Sequence, residues 1–235
     1  MVKALIAVTS YNGEFYPDGK KTGLFISEAL HPFQVFKAKD YDVDFVSETG
    51  TFGYDEHSLE ESFLNGDDLA VYQDKHSDYN ISTKNIKKAS DVDPSEYSII
   101  YFSGGHGTVY DFPHAKGLQK LASEIYKNNG VVAAVCHGPV IFDNLIDSST
   151  GKFLAQGKKV TGFTDVGESD MGLTPLLKQK DLFTVEDVIK KVGAHYQAPS
   201  TPWEDFTVVD GKLVTGTNPA SASSTAKKAI LALSA

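Results

Sequence analysis

The sequence predicts a single α/β domain, a mostly parallel β-sheet with helices on both faces. Three observations predict it. Short apolar runs rich in β-branched and small residues recur at 2–10, 98–102 and 131–135, in the pattern of strands buried on both sides. Stretches of helical periodicity separate them, so strand and helix alternate. The residues with chemistry to offer, at Ser10, Gly104-Gly105, Cys136-His137 and Glu168, all follow strand carboxyl ends, where such sheets bind ligands. A length of 235 residues suits one domain of this kind.

Taken in order, residues 2–10 form the first strand, and Tyr11–Lys21, with Gly13, Pro17, Asp18 and Gly19, reads as a loop. Thr22 is placed to cap a helix whose apolar face is Phe25, Ile26, Ala29, Leu30, Phe33 and Phe36. Glu28 flanks that face at roughly 120°, counting about 100° per residue. It reads either as a solvated edge residue or as a carboxylate reaching over the strand ends into a cleft. Tyr41–Glu48 alternates as a strand does. A polar, charged insertion at about 49–93, with a helical fragment near Ser58–Leu64, covers one end of the core. The strand at 98–102 ends in Ser103-Gly104-Gly105-His106-Gly107, where bare backbone N–H groups can meet a ligand. The glycine spacing there does not match a dinucleotide fingerprint, and His106 is placed to line a site or to serve structure.

A helix over Ala115–Asn128, ended by Asn129-Gly130, leads into Val131–Val135. Cys136-His137-Gly138-Pro139 then reads as strand, sharp turn and helix, with the sulfur at the corner. A thiol beside a helix N-terminus is favoured as thiolate, and the His137 N–H is free to face an oxyanion. Beyond a polar loop at Asp147–Gly157, Lys159–Thr164 reads as a strand and Asp165–Gly172 as a loop. Its acids, Asp165, Glu168 and Asp170, form a solvated turn or supply one carboxylate to orient His137. An amphipathic helix over Thr184–Val192, a hairpin turning at Asp210-Gly211, and a last helix over Ala220–Leu233 complete the chain.

Net charge is −9 and all 22 basic residues are lysine. Without arginine's bidentate fork, phosphate-clamping chemistry and nucleic-acid binding are disfavoured, and a small uncharged substrate fits better. One cysteine excludes an internal disulfide and suits a reducing compartment. No run approaches a membrane span, so the expected place is the cytoplasm, with the nucleus also open. No ligand spacing recommends a metal site from His106, His114 or the acids.

Cys136-His137-Gly138-Pro139 behind a β-rich run, with Ser103-Gly104-Gly105-His106-Gly107 upstream, resembles the ThiJ/PfpI family of the class I glutamine-amidotransferase-like superfamily. Glu28–Phe33, Asp44–Gly50, Gly130–Pro139, Gly162–Glu168 and Thr215–Ser221 are similar to its fungal branch of glutathione-independent glyoxalases, also described as stress-inducible holdase chaperones. The resemblance implies a flavodoxin-like fold and conversion of methylglyoxal to D-lactate with no cofactor and no metal. It implies a Cys136–His137–Glu168 triad, Glu28 against the cysteine for substrate and proton relay, and Gly105 and His137 N–H groups as oxyanion hole. The expected partners are a small dicarbonyl substrate and unfolded client proteins, with a monomer or homodimer as assembly. Cys136 beside a carboxylate also admits an oxidation sensor. A peptidase or protein deglycase is the remaining alternative.

Overall fold

The computed structural model describes residues 2–235. In chain order its elements are β1 (Lys3–Ala7), β2 (Gly13–Glu14), β3 (Lys21–Thr22), α1 (Ser27–Lys37), β4 (Asp42–Ser47), α2 (Gly66–Gln73) and α3 (Asp78–Lys84). There follow β5 (Lys87–Lys88), β6 (Ile99–Phe102), α4 (Thr108–Asp111), α5 (Lys116–Lys127), β7 (Val131–Val135) and β8 (Lys159–Val160). The chain ends with α6 (Asp165–Asp170), α7 (Thr174–Gln179), α8 (Val185–Lys191), β9 (His195–Tyr196), β10 (Thr207–Asp210), β11 (Leu213–Gly216) and α9 (Ala222–Ser234).

The main sheet has seven strands in the order β10-β11-β7-β6-β1-β4-β5, and every pairing is parallel except β10 with β11. The chain winds outward from β1 through β4 to β5, then returns to the other side of β1 for β6, β7 and β11. The winding therefore reverses between β1 and β6, and ligand clefts in open parallel sheets lie at such a reversal. All of β6 and β7 is buried, as is β1 from Ala4 onward, so their unbroken apolar runs match strands covered on both faces. Each buried valine or isoleucine there contributes about 1.5–3 kcal/mol before chain entropy is counted. α1 and α9 pack on one another, α1 against β1 and β4, and α9 against β7 and β11.

Several elements differ from expectation. Tyr11–Lys21 is not a bare loop: β2 and β3 pair as an antiparallel hairpin, and Thr22 lies in β3 instead of capping α1. The helical fragment at Ser58–Leu64 shrinks to a 3₁₀ turn at His57–Leu59, and the insertion's helices are α2 and α3. That insertion also adds β5 to the sheet edge. Lys159–Thr164 contributes only β8, which pairs with β9 outside the main sheet. Among the described residues, no helix is long and apolar enough to cross a membrane.

Candidate active site

Cys136 follows β7 directly and has φ +57°, in the left-handed region that a side-chain-bearing residue rarely adopts. Its backbone is held there from both sides. The Cys136 N–H donates to the Gly216 carbonyl (3.0 Å), and its own carbonyl accepts from the Phe163 N–H (2.8 Å). Such strain persists only where the surroundings over-determine it, and here it turns the sulfur out of the strand. The turn continues into a 3₁₀ helix at Gly138–Asp143, not the expected α-helix.

His137 reaches both ways from that turn. Its Nδ1 lies 3.2 Å from Cys136 Sγ and its Nε2 lies 2.7 Å from Glu168 Oε1. Glu168 is on α6, a short helix where a loop was expected, capped by Thr164 Oγ1 accepting from the Gly167 N–H (2.8 Å). Glu168 is buried, while Asp165 and Asp170 on the same helix are exposed.

Glu28 is fully buried on α1, so the solvated-edge reading of it fails. Pro32 sits inside this helix and lacks the N–H that would satisfy the Glu28 carbonyl; the Ser103 hydroxyl donates to that carbonyl instead (3.0 Å). The side chain accepts the Gly104 N–H at Oε2 (2.7 Å). Oε1 is buried with no hydrogen-bond partner. Only glycine fits at 104, because a Cβ would collide with Glu28 Oε2 and stand 2.8 Å from the His137 nitrogen. Gly105, at φ +101°, would drive a Cβ into the Gly23 carbonyl.

Residues 26–232 match the DJ-1/PfpI family. The chain belongs to that family. It is 54% identical over 232 residues to "Glyoxalase 3" of Candida albicans, covering 99% of this chain and 98% of that protein. It is 58% identical over 231 residues to "Glutathione-independent glyoxalase HSP31" of Saccharomyces cerevisiae, covering 98% of each. The crystal structure of glyoxalase III from Candida albicans superposes with a TM-score of 0.97, covering 98% of this chain and 97% of that one at 54% identity. Rapid Encystment Protein 24 KDa of Francisella tularensis gives a TM-score of 0.87 at 32% identity, covering 99% of each chain.

In this DJ-1/PfpI chain the surroundings of the sulfur work against the expected thiolate. Burial pushes the Cys136 thiol above its ordinary range, and Glu28 adds to that push once it ionises. The His137 N–H at the start of the 3₁₀ turn pulls the other way. Burial likewise lifts Glu28 from 4.5 to about 8, against the neighbouring Cys136 side chain and the hydrogen bond from the Gly104 N–H. Two acids in one dry cavity do not both ionise, so at neutral pH the Glu28 carboxyl is mostly protonated. Burial first, and then the neighbouring His106 ring, holds His137 down to about 4, so it is a neutral base. Despite burial, Glu168 lies far below the usual carboxylate range because His106 and His137 both favour its charge.

The sulfur opens onto a cavity of about 170 Å³ lined by Tyr16, Phe25, Gly105, His106, Phe163 and Trp203, among others. The His137 ring stacks on Phe163 at 4.6 Å, and Trp203 packs against Phe163 at the mouth. His106 joins the site through Glu168, its Nε2 lying 3.0 Å from Oε2. Tyr16 and Asp55 stand behind it, and nothing in the sequence announced them, since the hairpin that delivers Tyr16 was read as a loop. His106, His137 and Glu168 offer three possible metal-ligand atoms within 4.8 Å of one another, a cluster invisible to sequence spacing. His114, the other histidine considered, is exposed on the surface.

Proposed function

We propose that the protein is a glutathione-independent glyoxalase that converts methylglyoxal to D-lactate, detoxifying reactive dicarbonyls. One observation carries this reading: the Cys136 sulfur, 3.2 Å from a neutral imidazole, opens onto a small aromatic cavity beside a protonated carboxyl. The names of the Candida albicans and Saccharomyces cerevisiae relatives support it. The absence of arginine agrees with an uncharged dicarbonyl substrate.

In the proposed reaction His137 Nδ1 takes the thiol proton as Cys136 Sγ adds to the aldehyde carbon, and passes it to the O1 oxyanion. The product is a hemithioacetal. The Gly105 and His137 N–H groups are the donors toward that oxyanion. His137, neutral again, takes the C1 proton while Glu28 gives its proton to O2, forming an enediol. His137 then returns its proton to C2 and Glu28 recovers one from O1, leaving a lactoyl thioester. Water hydrolyses the thioester to lactate and restores the thiol. Glu168 steadies the imidazolium that forms twice in this cycle.

The test is D-lactate production from methylglyoxal in thiol-free, chelator-treated buffer. Wild type is expected to form D-lactate and Cys136→Ala to fall to background with an unchanged circular dichroism spectrum. Wild-type turnover by Cys136→Ala would remove the covalent route, and no D-lactate from wild type would remove the function.

A further inference from the structure

Glu168 is shared by two imidazoles. Besides His137 Nε2 at 2.7 Å, the carboxylate faces His106 Nε2, at 3.3 Å from Oε1 and 3.0 Å from Oε2. An ionised carboxylate only accepts, so both Nε2 atoms carry protons. The neutral His137 ring therefore has its lone pair on Nδ1, toward Cys136 Sγ. His106 is itself fixed from behind. Its ring stacks on Phe15 at 4.9 Å, and its Nδ1 lies 3.4 Å from the Tyr16 hydroxyl, whose own proton is donated to Asp55 Oδ2 at 2.8 Å. Asp55, buried in the insertion, also accepts from the Thr22 hydroxyl and from the His57 and Ser58 N–H groups, so it stays where it is.

Resting on the glyoxalase reading above, we propose that His106 is a positioning residue. Held by Phe15, Tyr16 and Asp55, it clamps the Glu168 carboxylate and so keeps His137 in the tautomer whose bare Nδ1 faces the nucleophile. Its role is exerted through Glu168, as outer partners orient a working imidazole elsewhere. The titratable groups facing His137 are Cys136 on its own turn, Glu168 from α6, His106 from the loop after β6 and, farther off, Asp55 from the insertion. Of these, His106 is the one that opposes protonation of His137, after burial itself. Removing it releases that opposition, and the acid limb of activity moves upward.

The experiment uses His106→Leu and His106→Gln in the full chain. It reads kcat/KM for methylglyoxal and, independently, the iodoacetamide alkylation rate of the single cysteine between pH 4.5 and 8.5. His106→Leu is expected to lower kcat/KM on the order of 10- to 100-fold. It should also bring an acid limb into this window, raised by roughly one pH unit or more, equivalent to tenfold or more in proton affinity. His106→Gln keeps a donor to Glu168, so it should recover much of the plateau rate while retaining the shifted limb. If His106→Leu does not fold, His106→Gln carries the test alone. A pH profile unchanged in both readouts would overturn the proposal whatever the loss of rate. Wild type that alkylates with the expected profile but forms no D-lactate would sink the glyoxalase reading and leave the positioning role standing on the alkylation shift.

Discussion

Glu28 and His137 are buried neutral at pH 7 for opposite charge reasons, and they pull stability in opposite directions with pH. The folded Glu28 carboxyl titrates near 8 against an ordinary 4.5, so its contribution is complete below 4.5 and is lost as pH rises through 8. His137 titrates near 4 against an ordinary 6.5, so its contribution is complete above 6.5 and is lost as pH falls through 4. Between 4.5 and 6.5 the two slopes offset, and from 6.5 to 8 that of Glu28 stands alone. Urea unfolding should therefore show stability falling over pH 6.5–8 with a slope approaching about 1.4 kcal/mol per unit. Glu28→Gln should flatten that slope. At this scale Cys136 and His137 were legible from type and place in the chain, whereas Glu28 stayed open between a solvated edge and the cleft until the family resemblance pointed it inward. The choice of Glu168 over Asp165 and Asp170 needed the family resemblance. Tyr16 and Asp55 were not legible, because their link to the site runs through His106 across segments far apart in sequence.

α1 is tied to the loop after β6 at two points, one of them a single hydroxyl. Pro32 strips the Glu28 carbonyl of its helical donor and Ser103 replaces it, so the same residue is tied at its backbone to Ser103 and at its side chain to Gly104. Ser103→Ala leaves a buried carbonyl unsatisfied and is expected to cost about 1–3 kcal/mol in chemical denaturation. Its kcat/KM should fall as well, since the carboxyl loses its rigid mounting. Elements with strong periodicity or turn chemistry were read correctly: β6, β7, α5 and the β10–β11 hairpin lie where expected, and β1 does so apart from ending at Ala7 instead of Ser10. The errors fall on short pieces. Asp165–Asp170 is one helical turn and a half, rich in acids and holding a glycine, which in isolation is turn composition. Lys159–Thr164 has strand-like residues, but only the first two find a partner, and that partner, β9, lies far along the chain.

For the molecule as a whole, the mostly parallel character of the sheet was readable from alternation, but its strand order and its β5 edge were not. One edge is β5, two lysines contributed by the insertion. Short, lysine-bearing edges discourage pairing with another chain. Replacing Lys87 and Lys88 together by valine should therefore raise light scattering on mild heating, beyond what is seen for wild type at equal concentration. Loss of the Lys87–Asp44 ion pair (2.8 Å) adds little to that outcome, because the pair is partly exposed.

The unusual backbone at Cys136 is pinned by the Gly216 carbonyl, which belongs to β11, far along the chain from the cysteine. Until that strand docks, nothing on that side obliges residue 136 to leave ordinary geometry. A partly unfolded chain therefore carries an unexceptional thiol, and the proposed aldehyde chemistry waits on the docking of β11.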